Sequence, residues 1–212
     1  MHDDLAKQSP SGYGEKLIDR GRSCLAHHSE TSLSTGFSWI QGLPLLFSAP
    51  HAVTHFRDGN EKQQEPATDA MAAGIAEAIG GSAIWATPGL NGDPNWDYDH
   101  PYKSRAMELA KDGIALDLHV MMNRGFDICL GLGEVKPIDR GLWSICAEEF
   151  LNEGYTVSLN YPFSAGPRTV TSHLQTHGVR AIQVEMTWDV CSDEGRGALT
   201  TEILLRISRS LM

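Results

Sequence analysis

Short apolar runs alternate with stretches of helical spacing along most of this chain. The runs Leu43–Ala49, Ser82–Ala86, Gly113–Val120, Phe126–Leu132, Tyr155–Leu159 and Val179–Thr187 predict strands. Between and after them, Pro66–Ile79, Tyr102–Lys111, Ile138–Asn152 and Gly197–Leu211 predict helices, with a shorter one near Thr169–Thr176. Gly80-Gly81 stops the first of these helices and Gly154 the third. Cys24–Leu33 and Gly36–Ile40, joined by the turn signal Ser34-Thr35-Gly36, read as a lead-in hairpin. Residues 1–22 are polar and are expected to form a peripheral helix or arm. Pro50-His51 opens a long polar loop that runs through Gln64, and Pro88–Pro101 forms another. Strands that alternate with helices define an α/β layer fold with a mostly parallel or mixed sheet.

Three of the apolar runs end alike. Leu45–His51 (LLFSAPH), Ile114–His119 (IALDLH) and Ala181–Glu185 (AIQVE) each deliver one His or Glu at the C-terminal end of a strand. In open α/β sheets that edge is where ligands bind, so three deliveries suggest one site. Zinc favours imidazole and carboxylate, and a catalytic site needs three protein ligands and one open position. His51 and His119 are therefore candidate ligands. His55, Glu61 and Glu65 follow His51 in the same polar loop. Alternation puts Asp117 on the same side of its strand as His119, where a carboxylate can orient a metal-binding imidazole and raise its basicity. Glu185 lies well inside an apolar run, and a charge there is costly unless it is paired, coordinated or tuned as a general base. Gln183 shares its face. Arg124, just after His119, is a candidate for clamping a substrate carboxylate or polarising a carbonyl, with pairing to Asp127 as the alternative. Asn160 ends another strand ahead of a Pro/Gly loop, and Asn95 sits in the rigid turn Asp93–Asp97; both are candidate substrate-binding residues.

Composition narrows the classes. The chain has 212 residues, which fits a single domain spanning 1–212, and 41% hydrophobic with 21% charged residues is globular rather than disordered. Its 17 basic and 27 acidic residues leave a formal net charge of −10 without a Lys/Arg cluster, so no nucleic-acid or anionic-membrane partner is expected. No run reaches the roughly 18 apolar residues of a membrane span, and the N-terminal MHDDLAKQSPSGYG lacks an apolar signal core. Cys24, Cys129, Cys146 and Cys191 are widely spaced and form no C-x-x-C, which reads as free thiols in a reduced, cytoplasmic protein. No P-loop, dinucleotide fingerprint or G-x-S-x-G elbow occurs.

Taken in order, SAPHA (48–52), GDPNWD (92–97), DLH (117–119), RGFDICLG (124–131), LNYPFSAG (159–166) and GVRAIQVEM (178–186) resemble the N-formylglutamate amidohydrolase family, zinc hydrolases related in fold to the zinc carboxypeptidases. The resemblance implies a three-layer α/β sandwich around a central mixed, mostly parallel sheet, phosphorylase/hydrolase-like in type. It implies one zinc ion per chain, held by His51, an acidic residue of the following segment and His119, with Glu185 as the catalytic carboxylate. Glu65 and Asp69 both suit the acidic position. Glu65 is preferred because it precedes the helix that Pro66 starts, whereas Asp69 falls in the first helical turn, where its charge stabilises the helix. The substrate implied is a small acidic N-acyl amino acid or short peptide. A carboxypeptidase-like or γ-glutamyl-type peptidase is the alternative within the class, and a metal-free binding protein the alternative outside it. Ala52 and His55 depart from the family pattern.

Overall fold

The computed structural model describes residues 10–28, 35–134 and 139–212. In chain order its elements are α1 (Pro10–His28), β1 (Phe37–Ile40), β2 (Leu43–Ala49), β3 (His55–Arg57), β4 (Asn60–Lys62), α2 (Thr68–Ile79), β5 (Gly81–Ala86), α3 (Pro101–Leu109), β6 (Ile114–Met121), β7 (Ile128–Gly131), α4 (Arg140–Asn152), β8 (Val157–Leu159), α5 (Val170–Thr176), β9 (Arg180–Thr187), α6 (Trp188–Ser192) and α7 (Glu194–Leu211). Seven strands form one sheet in the order β1-β5-β2-β6-β9-β7-β8. The four central strands β5, β2, β6 and β9 are parallel. β1 closes one edge antiparallel, while β7 runs antiparallel to β9 and carries β8 parallel to itself at the other edge. The sheet is thus mixed, mostly parallel and covered by helices on both faces, a three-layer sandwich.

The two faces follow from the period of two along each strand. Phe47, Leu116, Leu118, Ile182, Val184 and Met186 point to one face and pack with α2 and α7 in the larger core. Leu46, Ala115 and Ala181 point to the other, against Tyr102, Ala106, Val170 and Leu174 of α3 and α5. Fully burying each such Leu, Ile or Val contributes roughly 1.5–3 kcal/mol. Along the second face the strands change character towards their C-terminal ends. Leu46 is followed by Ser48, Ala115 by Asp117 and His119, and Ala181 by Gln183 and Glu185. Register aligns Ser48, Asp117 and Gln183 in one row and His119 and Glu185 in the next. Tyr102 roofs the first row: its hydroxyl donates to Ile84 O at 3.0 Å, accepts from Ala49 N at 3.0 Å and lies 3.1 Å from Ser48 Oγ.

Three expectations need correction. The peripheral helix or arm expected over residues 1–22 is, from Pro10 onward, the helix α1, but a packed one whose Leu17, Ile18 and Cys24 are buried; residues 1–9 lie outside the described residues. The apolar stripe was hard to see because glycines occupy its closest contacts. A Cβ at Gly21 would lie 1.9 Å from Ala70 O, and one at Gly74 2.0 Å from Leu17 O, so α1 and α2 touch backbone to backbone. The lead-in hairpin is replaced by the end of α1 and by β1, which pairs with β5 instead; Ser29–Ser34 lie outside the described residues. The polar loop after His51 contains the β3–β4 ribbon, with His55 opposite Lys62.

Candidate metal centre

β2 ends at Ala49, and the turn at Pro50 sets His51 on the sheet edge. The chain then leaves as the β3–β4 ribbon and returns so that Glu65 N donates to His51 O at 2.8 Å. That bond locks the two backbones together and explains how residues fourteen apart in sequence meet. β6 delivers His119 to the same edge, and β9 delivers Glu185 beside it.

The geometry within the cluster is directional. His51 Nδ1 lies 2.9 Å from Glu65 Oε1, and His119 Nδ1 3.2 Å from Glu65 Oε2. Each ring turns its other nitrogen to a separate buried carboxylate: His51 Nε2 to Asp93 Oδ1 at 2.9 Å, and His119 Nε2 to Asp117 Oδ2 at 3.3 Å. Ligand atoms of His51, Glu65 and His119 all fall within 4.8 Å of one another. Glu65 Oε2 is buried yet lacks a well-aligned hydrogen bond, which leaves a lone pair aimed into the cluster. This donor set, two imidazoles and one carboxylate with oriented rings, fits a zinc-type ion. A second set, His51, His55 and Asp93, meets the same distance test but fits less well. Asp93 already accepts from His51, from Arg57 Nε at 2.6 Å and from Asn95 N at 2.8 Å, while the His55 ring stacks flat on His51 at 4.2 Å.

Electrostatics agree with the geometry. Burial alone would push both imidazoles down. Glu65, with Asp93 behind His51 and Asp117 behind His119, reverses this and holds both above their ordinary value. Glu65 and Asp93 are in turn held well below the usual carboxylate range: burial opposes this, but the facing imidazoles outweigh it. The carboxylates around the two rings thus favour positive charge in the cluster. Glu185 behaves differently. Burial raises it to about 7, with His119 opposing and Glu65 adding to the rise.

A cavity of about 610 Å³ opens over the cluster, and His51, Glu65, His119, Gln183 and Glu185 all line it. Gln183 is buried and donates Nε2 to Glu185 Oε1. Asn95 also reaches the cavity, but its side chain is occupied: Nδ2 lies 2.9 Å from His119 Nε2, and Oδ1 accepts from Val170 N at 2.7 Å. Arg124 and Asn160 are not brought to the site. Gly125, at φ 89°, turns the loop after β6 so that Arg124 is exposed and outside the lining, and its expected alternative partner Asp127 is taken by Arg196 at 2.6 Å. Asn160 follows β8, the edge strand three places from β6 in the sheet, and it does not line the cavity. Its Oδ1 caps Leu132 N at 2.8 Å instead. Asp69 lies apart from the cluster and accepts from Ala70 N at 2.8 Å at the start of α2, the helix-stabilising position. The sequence reading missed the role of Asp93 behind His51, and it missed Arg57 and Arg168 on the cavity wall. GDPNWD had marked the right turn, but only the folded loops reveal which of its residues faces the ring.

The sandwich gathers two imidazoles and a shared carboxylate at the C-terminal edge of its parallel strands, beneath an open cavity, and these side chains could hold a metal ion. No protein-family model matches the sequence, and no curated protein matches it either. Solved structures do match its fold. N-formylglutamate amidohydrolase from Ralstonia eutropha JMP134 superposes with a TM-score of 0.60 at 18% identity, covering 84% of this chain and 98% of that one. A bacteriophage poly-gamma-glutamate hydrolase gives 0.57 at 12% identity over 88% and 96% of the two chains. A zinc-free form of YNDL gives 0.56 at 16% identity over 86% and 95%. The chain has the fold of these structures. The four cysteines are free and buried, and no helix among the described residues is long and apolar enough to cross a membrane.

Proposed function

We propose that the protein is a zinc-dependent hydrolase that cleaves an amide bond in a small N-acyl amino acid, N-formylglutamate-like, or in a short peptide. The observation that carries this reading is the orientation of the two rings: both Nδ1 atoms face Glu65 while both Nε2 atoms face a second carboxylate. That arrangement fixes the ring pose a metal ligand needs. His51, Glu65 and His119 would hold one zinc ion per chain, which would supply a Lewis acid for the scissile carbonyl and for the attacking water at neutral pH. Glu185 takes the proton of the attacking water and passes it to the leaving nitrogen, a task suited to a carboxyl raised to about 7 by burial. Gln183 holds one Glu185 oxygen, so the other stays directed at the reaction. Asn95 holds His119 against the α5 segment. A cavity of about 610 Å³ has room for more than a formylated amino acid, which favours a peptide-cleaving, γ-glutamyl-type activity as the second reading.

The deciding experiment measures metal in the purified wild type and in His119→Ala, followed by hydrolysis of N-formyl-L-glutamate and γ-glutamyl dipeptides. About one zinc per chain in the wild type, lost in the variant together with turnover, is the expected result. A wild type that takes up no metal even when zinc is added overturns the reading.

A further inference from the structure

The cavity wall carries three cationic side chains, Arg57, Lys62 and Arg168. Arg57 is committed to Asp93 through a 2.6 Å bond, and Lys62 is exposed on β4. Arg168 differs from both. It is half-buried, with its guanidinium carbon 4.4 Å from the ring centroid of Trp96 and 5.0 Å from that of Tyr98. It forms no ion pair with any described residue. In a chain of net charge −10, a half-buried guanidinium without an anion, facing a cavity, is a site prepared for one. A guanidinium stacked on aromatic faces can still offer its edge to a carboxylate through two parallel hydrogen bonds.

The surrounding backbone holds this arginine in place. Lys103, 2% exposed, donates from Nζ to Asp97 O and to Arg168 O, both at 2.6 Å. A buried ammonium costs several kcal/mol unless well satisfied, so its use as a clip between two loops argues that their relative position matters. Asn95 makes a second clip, from His119 Nε2 to Val170 N. The Trp96–Tyr98 shelf, the Arg168 loop and the His119 imidazole therefore form one connected block.

We propose that Arg168, seated on Trp96 and Tyr98, anchors a carboxylate of the substrate and so restricts the enzyme to anionic amides. The inference rests on the hydrolase reading for the word substrate, but not for the anion site itself. Arg168 takes the part that the sequence suggested for Arg124.

The test is calorimetric binding of glutarate and of its uncharged isostere glutaramide to the purified protein, with zinc content recorded and N-formyl-L-glutamate hydrolysis assayed separately. Wild type is expected to prefer glutarate by about ten- to a hundredfold, the worth of a charge-assisted bidentate contact. Arg168→Ala should bring that preference to within about threefold without weakening glutaramide, Arg168→Lys should restore part of it, and Arg124→Ala should leave it whole. A wild type without the preference, an Arg168→Ala variant that keeps it, or equal loss for both ligands overturns the anchor. If the preference follows Arg168 but no amide is cleaved, the anchor stands and the hydrolase reading falls. If amides are cleaved and the preference ignores Arg168, the anchor falls alone.

Discussion

Two parts of this site present polar side chains from the ends of strands, yet they end up in different places. β6 and β9 run parallel and finish at the same edge, so His119 and Glu185 meet there by register alone. β8 has the same local grammar, a short run closed by Asn160 and a Pro/Gly loop, but it enters the sheet in the opposite sense to β9 and at its far edge, three places from β6, so Asn160 stands outside the cavity. Strand ends meet by register alone where the strands are neighbours that run in the same direction. Direction is a property of the whole topology and is not written in any one segment.

The largest expected effect tests the parallel half. Glu185→Gln keeps the shape and the hydrogen bond with Gln183 within reach but removes the proton acceptor. Turnover of whichever amide the wild type cleaves should fall by about two to four orders of magnitude, with zinc content unchanged. A fall of less than tenfold would remove Glu185 from the chemistry and reduce the row to a ligand scaffold.

A smaller effect separates the ligands from the groups behind them. Asp93→Asn keeps a side chain of the same size against His51 Nε2 but loses the carboxylate that fixes the ring. Zinc affinity, measured by competition with a chelator, should weaken by about ten- to a hundredfold. Asp69→Asn, at the start of α2, should leave zinc affinity unchanged. Equal effects at the two positions would erase the distinction between the cluster and the helix start.

The same contrast explains how much could be read in advance. Apolar runs with a titratable last residue placed His51, His119 and Glu185, and helix-start logic separated Glu65 from Asp69. Those signals are local, and they survive folding because strand period and helix capping are local rules. Asp93 and Arg168 left no such trace, since each depends on loops brought together by Lys103 and Asn95 across long stretches of sequence. The packing of α1 was missed for a related reason. Its contact with α2 is made through Gly21 and Gly74, residues that carry no hydrophobic signal.

The smallest effects sharpen the antiparallel half, where Asn160 and Arg124 should differ in kind. Asn160 adopts φ 57°, a conformation Asn tolerates better than most residues, and its side chain caps Leu132 N. Asn160→Ala should therefore lose one part-buried cap and gain left-handed strain, about 1–2 kcal/mol together, seen as a melting temperature lower by roughly 2–8 °C. Its KM should not move, because the side chain is bound to Leu132 N just after β7 and does not line the cavity. Arg124→Ala removes an exposed side chain from a loop turned by Gly125, so stability should stay within about 0.5 kcal/mol and KM within about twofold. A rise in KM for Asn160→Ala at unchanged stability would reverse the contrast. It would mean that the β8 end reaches the substrate after all, and that shared strand direction is not what assembles this site.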